Sequence, residues 1–145
     1  ESVLLNAENI ALNNSFEKNR GSLPWPVDRG VTIMHFGRNQ LPSGSYIDVT
    51  GVTVAADIGS NVKSVFDGIV SNIVFIEDMQ VVIIQHGKYF STYSNLASVS
   101  VQRGQNIKTG QVIGKVAANL DGIGAIDFFI NDEKNNIDPE RWLKR

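Results

Sequence analysis

The side chains able to do chemistry in this chain are few and widely spaced. There are two histidines, His35 and His86, and no cysteine, so disulfide frameworks and thiolate metal sites are excluded. His86 stands before Gly87 at a turn and reads as a structural histidine. His35 precedes Phe36-Gly37 and reads as a strand or rim residue. Asn95 is suited either to bind a partner or to cap a turn with its side chain. Asp127 sits in the apolar run Ala125-Ile126-Asp127-Phe128-Phe129-Ile130. On a strand it is either a recognition carboxylate or a local partner for a Lys or Arg. Phe128 and Phe129 must then face opposite ways, with Phe128 in the core.

The elements that have to hold these groups are mostly strands. Short β-branched and apolar runs recur over residues 31–36, 46–49, 52–55, 62–66, 69–76, 81–86, 89–93, 98–101, 112–116 and 126–130. Turn pairs such as Asp67-Gly68, His86-Gly87 and Arg103-Gly104 bound most of them. Residues 38–45, with Pro42, Ser43 and Gly44, read as a loop. Gly59-Ser60-Asn61-Val62-Lys63 and Gly104-Gln105-Asn106-Ile107-Lys108 predict two similar hairpin corners. Trp25, between Pro24 and Pro26, predicts an extended segment anchored on the core. Asp138-Pro139 predicts a helical turn that packs Trp142 and Leu143. Ahead of the strands, Leu4, Leu5, Ala11, Leu12 and Phe16 form a loose helical stripe, interrupted by Asn13-Asn14-Ser15. Many short strands with little helix predict an all-β, antiparallel sandwich-like fold.

The 145 residues suit one domain, with 42% hydrophobic residues to build its core. The division expected is a linker or regulatory helix over 1–20 and the β domain over 21–145. A net charge of −2 without a basic cluster argues against nucleic acid as a partner. No apolar run approaches the roughly 20 residues of a membrane span. The chain opens on Glu1 without a signal peptide, and is expected to be a piece whose signal or anchor lies upstream.

Several segments, in order and spacing, carry a resemblance. They are Leu23-Pro24-Trp25-Pro26-Val27, Phe36-Gly37, Gly59 through Gly68-Ile69-Val70, and Val81 through His86-Gly87. Tyr93-Ser94-Asn95-Leu96, Val101 through Gly114, and Asp138-Pro139 to Trp142-Leu143 complete the set. Over about residues 21 to 143 the chain resembles a LytM domain, the lysostaphin-like zinc metallopeptidase fold that cleaves peptidoglycan cross-links. Active members bind zinc through the His and Asp of His-x-x-x-Asp and the second His of His-x-His, and two further histidines assist catalysis. By resemblance the three ligands fall on Val49, Thr53 and Asp127, and the assisting positions on Asn95 and Ala125. All five differ from the active pattern. Phe129 stands where the family has a glutamate.

A catalytic zinc needs about three protein ligands and an open position. Val49 has no donor atom and Thr53 is a weak one. If the 38–50 segment shifted, Asp48 would join Asp127 in a pair suited to calcium or magnesium rather than zinc. The resemblance implies no cofactor, no catalytic or metal residue, and a vacant groove lined by Val49, Thr53, Asn95, Ala125, Asp127 and Phe129. In character it is that of the EnvC-type murein hydrolase activators of bacterial cell division. These imply a periplasmic or cell-envelope location and a cell-wall amidase or other murein hydrolase as partner. They also imply an upstream coiled coil linked to an inner-membrane division complex. A module that binds peptidoglycan without cutting it is the alternative, and an endopeptidase with relocated ligands a remoter one. A bulky charged residue at Thr53 or Ala125 should abolish activation without unfolding the domain. Leu4, Leu5 and Leu12 would cover the groove if the first segment were regulatory.

Overall fold

A computed structural model describes residues 6–145. Among the described residues are one α-helix, α1 (Ala7–Lys18), and twelve strands. The strands are β1 (Val31–Met34), β2 (Gly37–Gln40), β3 (Tyr46–Val49), β4 (Val52–Ala55), β5 (Asn61–Lys63) and β6 (Gly68–Ile76). They continue as β7 (Met79–His86), β8 (Tyr89–Val99), β9 (Asn106–Ile107), β10 (Val112–Val116), β11 (Ala125–Asn131) and β12 (Asn136–Ile137). A 3-10 turn, Pro139–Arg141, follows Asp138, whose side chain accepts from the Glu140 N–H. Ten strands form one antiparallel sheet in the order β1-β4-β11-β8-β7-β6-β9, with β12 beside β11 and β10 joining β8 to β5. β2 and β3 make a separate ribbon. The all-β antiparallel expectation holds.

Strand alternation builds the core. Ile126, Phe128 and Ile130 of β11 are fully buried and meet Val52 and Val54 of β4, Tyr93 of β8 and Val82 and Ile84 of β7 in one cluster. The rings of Tyr93 and Phe128 lie 5.2 Å apart. The two Gly-x-Asn corners are alike. Gly59 and Gly104 have φ of 85° and 86°, and each is followed by a short strand with a fully buried Val62 or Ile107.

Several expectations are corrected. The polar stretch read as a loop over 38–45 contains β2, which pairs with β3 from Gly37↔Val49 to Gln40↔Tyr46. This ribbon stands off the core, so its strands need no apolar face; instead the Arg38 guanidinium lies 4.3 Å from the Tyr46 ring centre. β8 runs unbroken from Tyr89 to Val99 where two strands were expected, and β5 is shorter than expected. α1 passes through Asn13-Asn14-Ser15 without a break. Tertiary contacts outweigh the low helix propensity there: Asn13 Oδ1 accepts from the Lys88 N–H at 2.9 Å.

α1 docks far from the expected groove. Phe16 is fully buried, stacks on His86 at 4.7 Å and lies 5.0 Å from Trp142. Asn13 closes over Gly87, and Glu17 accepts from the Tyr89 hydroxyl at 2.7 Å. Leu12 therefore does not cover the Asp127 side of the sheet; Leu4 and Leu5 lie outside the described residues. Trp25 donates to the Lys144 carbonyl at 2.8 Å, and Leu23 bridges Leu143, so the extended segment around Trp25 and the C-terminal residues close on each other.

His86 is completely buried. Its Nδ1 bonds the Asp67 carbonyl at 2.7 Å and its Nε2 the Ser91 hydroxyl at 2.7 Å. Ser91 bonds the Tyr93 hydroxyl at 2.9 Å, which accepts from the Val65 N–H at 2.9 Å. One directed chain satisfies every group if the ring is neutral with its proton on Nδ1. Burial pushes the His86 pKa from 6.5 down to about 4, against the raising effect of the Asp67 carbonyl. The unfolded chain thus takes up a proton near pH 6.5 that the folded chain refuses until about pH 4. The stability tied to His86 is complete above the higher value and is lost as pH falls toward the lower one, by about 3 kcal/mol at most. Chemical denaturation between pH 7 and pH 4.5 should show this slope in the wild type and lose that part of it in His86→Gln; an unchanged slope in the variant contradicts the assignment.

Candidate functional site

β4, β11 and β8 lie side by side, and their register sets a polar row on the face opposite the core. Asp127 is paired with Thr53 on one side and Ser94 on the other. The Thr53 hydroxyl donates to Asp127 Oδ1 at 2.7 Å. The Ser94 hydroxyl bonds Met79 Sδ at 2.8 Å. Sequence reasoning expected a Lys or Arg as any local partner of Asp127, and the structure supplies a threonine. Phe129, two residues on and half-buried, lies over Gly51. A Cβ at residue 51 would collide with the Phe129 ring and the Phe128 carbonyl, which is why the β3–β4 connection carries glycine here.

Asn95 explains how the sheet opens beside this row. Ser94 is the last β8 residue paired with β11, and Leu96 the first paired with β10. Between them Asn95 takes φ of 67°, a left-handed conformation that asparagine tolerates better than most residues. The strand kinks and changes partner as at a β-bulge. The Asn95 amide then stitches the diverging strands, donating to the Ala125 carbonyl at 2.8 Å and reaching the Ala117 and Ala118 carbonyls at 3.3 Å.

Of the six expected groove residues, the structure brings Thr53, Asp127, Asn95 and Ala125 together through these bonds. Ala125 contributes its carbonyl rather than its side chain, being only 2% exposed. The expectation that a bulky charged residue there leaves folding intact is therefore corrected, because no space exists for it. Phe129 lies farther along the same face. Val49 ends the β2–β3 ribbon, half-buried and paired with Gly37. Asp48 is exposed on that ribbon across from Arg38. His35 bonds Glu140 at 2.6 Å on the surface, and His86 belongs to the core.

The cleft next to the row has a volume of about 530 Å³, and Asn95 and Asp127 line it. Its walls are the β6–β7 turn, with Glu77, Asp78 and Met79, and the loop carrying Leu120 and Asp121. Sequence reasoning missed these walls. Ser94 and Met79 had a usable signal, since both sit next to motif or strand residues; the loop had none, because only the fold brings it to the sheet.

The donor set does not fit zinc. Thr53 and Asp127 are bonded to each other, the Asn95 amide is turned to backbone carbonyls, and Ala125 has no donor. Among the described residues no group of three or more His, Cys, Asp and Glu lies close enough to hold a metal ion.

A model of peptidase family M23 matches residues 48–139, a stretch that contains all six expected groove residues. An uncharacterized protein of Neisseria meningitidis serogroup B is 29% identical over 137 residues, which make up 93% of this chain and 22% of that protein. The chain thus spans well under half the length of the curated relative it matches. A chain of the SpoIIQ–SpoIIIAH pore-forming complex superposes with a TM-score of 0.73 at 20% identity, covering 86% of this chain and 92% of that one. A zinc-containing peptidase from Vibrio cholerae gives a TM-score of 0.73 at 24% identity, with 87% and 41% covered. Lysostaphin gives 0.64 at 19% identity, with 83% and 52% covered. These structural likenesses establish the fold. No helix among the described residues is long and apolar enough to cross a membrane.

Asn95 offers a direct test of this architecture. Asn95→Ala loses the bond to the Ala125 carbonyl and places a Cβ residue less suited to positive φ, a combined cost of about 2 kcal/mol. Asn95→Gly keeps the backbone geometry and loses only the bonds. Thermal or urea melts should rank wild type above Asn95→Gly above Asn95→Ala; equal losses in the two variants would show that the left-handed conformation contributes nothing.

Proposed function

We propose that this chain, which belongs to peptidase family M23, is a non-catalytic member that activates a peptidoglycan hydrolase by binding it through the former active-site groove. The observation that carries this reading is the Thr53–Asp127 bond. Two positions that would hold a metal, by the LytM resemblance, instead satisfy each other at 2.7 Å. Metal-assisted hydrolysis requires an ion that acidifies water and polarises the scissile carbonyl. A hydroxyl–carboxylate pair supplies no three-ligand ion site, and Asn95 and Ala125 leave no general base at the two assisting positions. The surrounding scaffold is nonetheless built to hold a groove, on strands with a packed core behind them. A rigid groove of this kind suits recognition of a peptide segment.

The partner class follows from the LytM resemblance: a cell-wall amidase or other murein hydrolase, acting in the cell envelope during division. An upstream coiled coil connecting to an inner-membrane division complex belongs to the same reading. Binding to peptidoglycan itself is the competing outcome.

The test is release of dye-labelled peptidoglycan fragments by a purified cell-wall amidase, with and without this chain. Wild type should raise the rate. Thr53→Arg places a long side chain on the groove floor, where Asp127 can pair with it, so the fold should tolerate it. Its activation should fall about tenfold, equivalent to about 1.4 kcal/mol of partner affinity, with a melting temperature within a few degrees of wild type. Full activation by a folded Thr53→Arg contradicts the groove as the contact. Binding of the chain to sacculi without any effect on the amidase favours the wall-binding alternative.

A further inference from the structure

The cleft beside Asp127 has exposed apolar side chains and carboxylates on the same walls, and together they specify the chemistry of what it binds. Leu120 is fully exposed, at 107%, and Ile76 is 54% exposed; Met79 and Ala117 line the same cleft. The leucine is not on a loose tip. Asn119 Oδ1 accepts from the Asp121 and Ile123 N–H groups at 2.9 and 3.0 Å, and the Asn119 N–H donates to the Ile123 carbonyl at 2.7 Å. A leucine presented by a fixed turn loses little conformational entropy when it is covered.

The cleft is lined by Glu77, Asp78, Asp121 and Asp127, while no Lys, Arg or His lines it. The chain as a whole has 13 basic and 15 acidic residues, so four carboxylates with no cation among them is a local bias. Among the described residues no basic side chain forms an ion pair with any of the four. Nor do three of them converge as metal ligands would. The charge is spread among apolar side chains rather than focused on a point. Such a lining repels anionic polymers and lipid surfaces and attracts a segment with several separated cations.

We infer that the cleft takes a cationic amphipathic segment of a protein partner. One apolar side chain of that segment seats against Leu120, Ile76 and Met79, and flanking Lys or Arg side chains meet Glu77, Asp78 and Asp121. This rests on the reading of the groove as a docking site and names the partner's chemistry there.

The probe is a fluorescently labelled synthetic amphipathic peptide with an apolar stripe flanked by lysines, compared with the same peptide carrying glutamates in their place. Anisotropy titrations with the purified chain, at about 0.05 M and 0.3 M salt, read the affinity. The lysine peptide should bind about tenfold or more tighter than the glutamate peptide and weaken as salt rises. The double variant Glu77→Lys/Asp78→Lys should lose about tenfold, and Leu120→Ser should lose affinity at both salt concentrations. The control Glu8→Lys/Asp57→Lys makes the same change in net charge away from the cleft and should bind as wild type. Equal binding of the two peptides, or wild-type binding by a folded Glu77→Lys/Asp78→Lys, overturns the inference. Amidase activation separates the two proposals. Wild-type activation by Glu77→Lys/Asp78→Lys sinks the charged cleft alone. No activation by wild type, with the peptide preference intact, sinks the activator reading alone.

Discussion

The register of three neighbouring strands, β4, β11 and β8, is the constraint on which this molecule depends. Side chains alternate along a strand, so a slip of one residue would bring Asp127 into the core and turn Ile126 and Phe128 out. The full burial of Ile126, Phe128 and Ile130 makes that slip prohibitively costly, at about 1.5–3 kcal/mol for each large apolar side chain exposed. The core therefore fixes the site. Thr53, Asp127 and Ser94 line up across three strands because the residues behind them can pack in only one register, and the Thr53–Asp127 bond is a consequence of that alignment.

The same sheet makes its own opening. At Asn95, β8 leaves β11 and takes up β10, and the asparagine amide holds the parting strands at a fixed separation. The gap is walled on one side by the tight β6–β7 turn, where Glu77 has φ of 56°, and on the other by the loop that Asn119 braces. Neither wall hangs loose. On the far side of the molecule α1 is clamped by Phe16 against His86 and Trp142, so the helix steadies the scaffold without reaching the cleft.

Much of the strand framework was legible in the sequence because burial writes a period of two into it. Residues 52–55 and 126–130 show this, as do the paired Gly-x-Asn corners. The exposed ribbon was not legible: Arg38-Asn39-Gln40 pairs through its backbone alone, and its polar side chains look like a loop. The long β8 was read as two strands because its kink falls on a polar asparagine. At the site, Thr53, Asn95 and Asp127 were placed by the LytM resemblance; the structure bonds Thr53 to Asp127 and turns Asn95 to the Ala125 carbonyl. Their bonding was not readable, because a hydrogen bond over 74 residues follows from register that only the whole core fixes. The burial of Ala125 and the arrival of Leu120 at the cleft have the same origin.

In the proposed reading, a family M23 sheet that turns Thr53 and Asp127 toward each other has exchanged one use of a groove for another. What was a site for an ion and a reacting bond is, in this account, a surface of fixed shape and charge offered to a protein. Calorimetric titration of zinc into the purified chain tests that claim most directly. The account predicts no saturable binding up to about millimolar zinc, since a lone carboxylate already bonded to a hydroxyl gives no three-ligand site. A one-to-one site of micromolar affinity or tighter, abolished by Asp127→Ala, would contradict it.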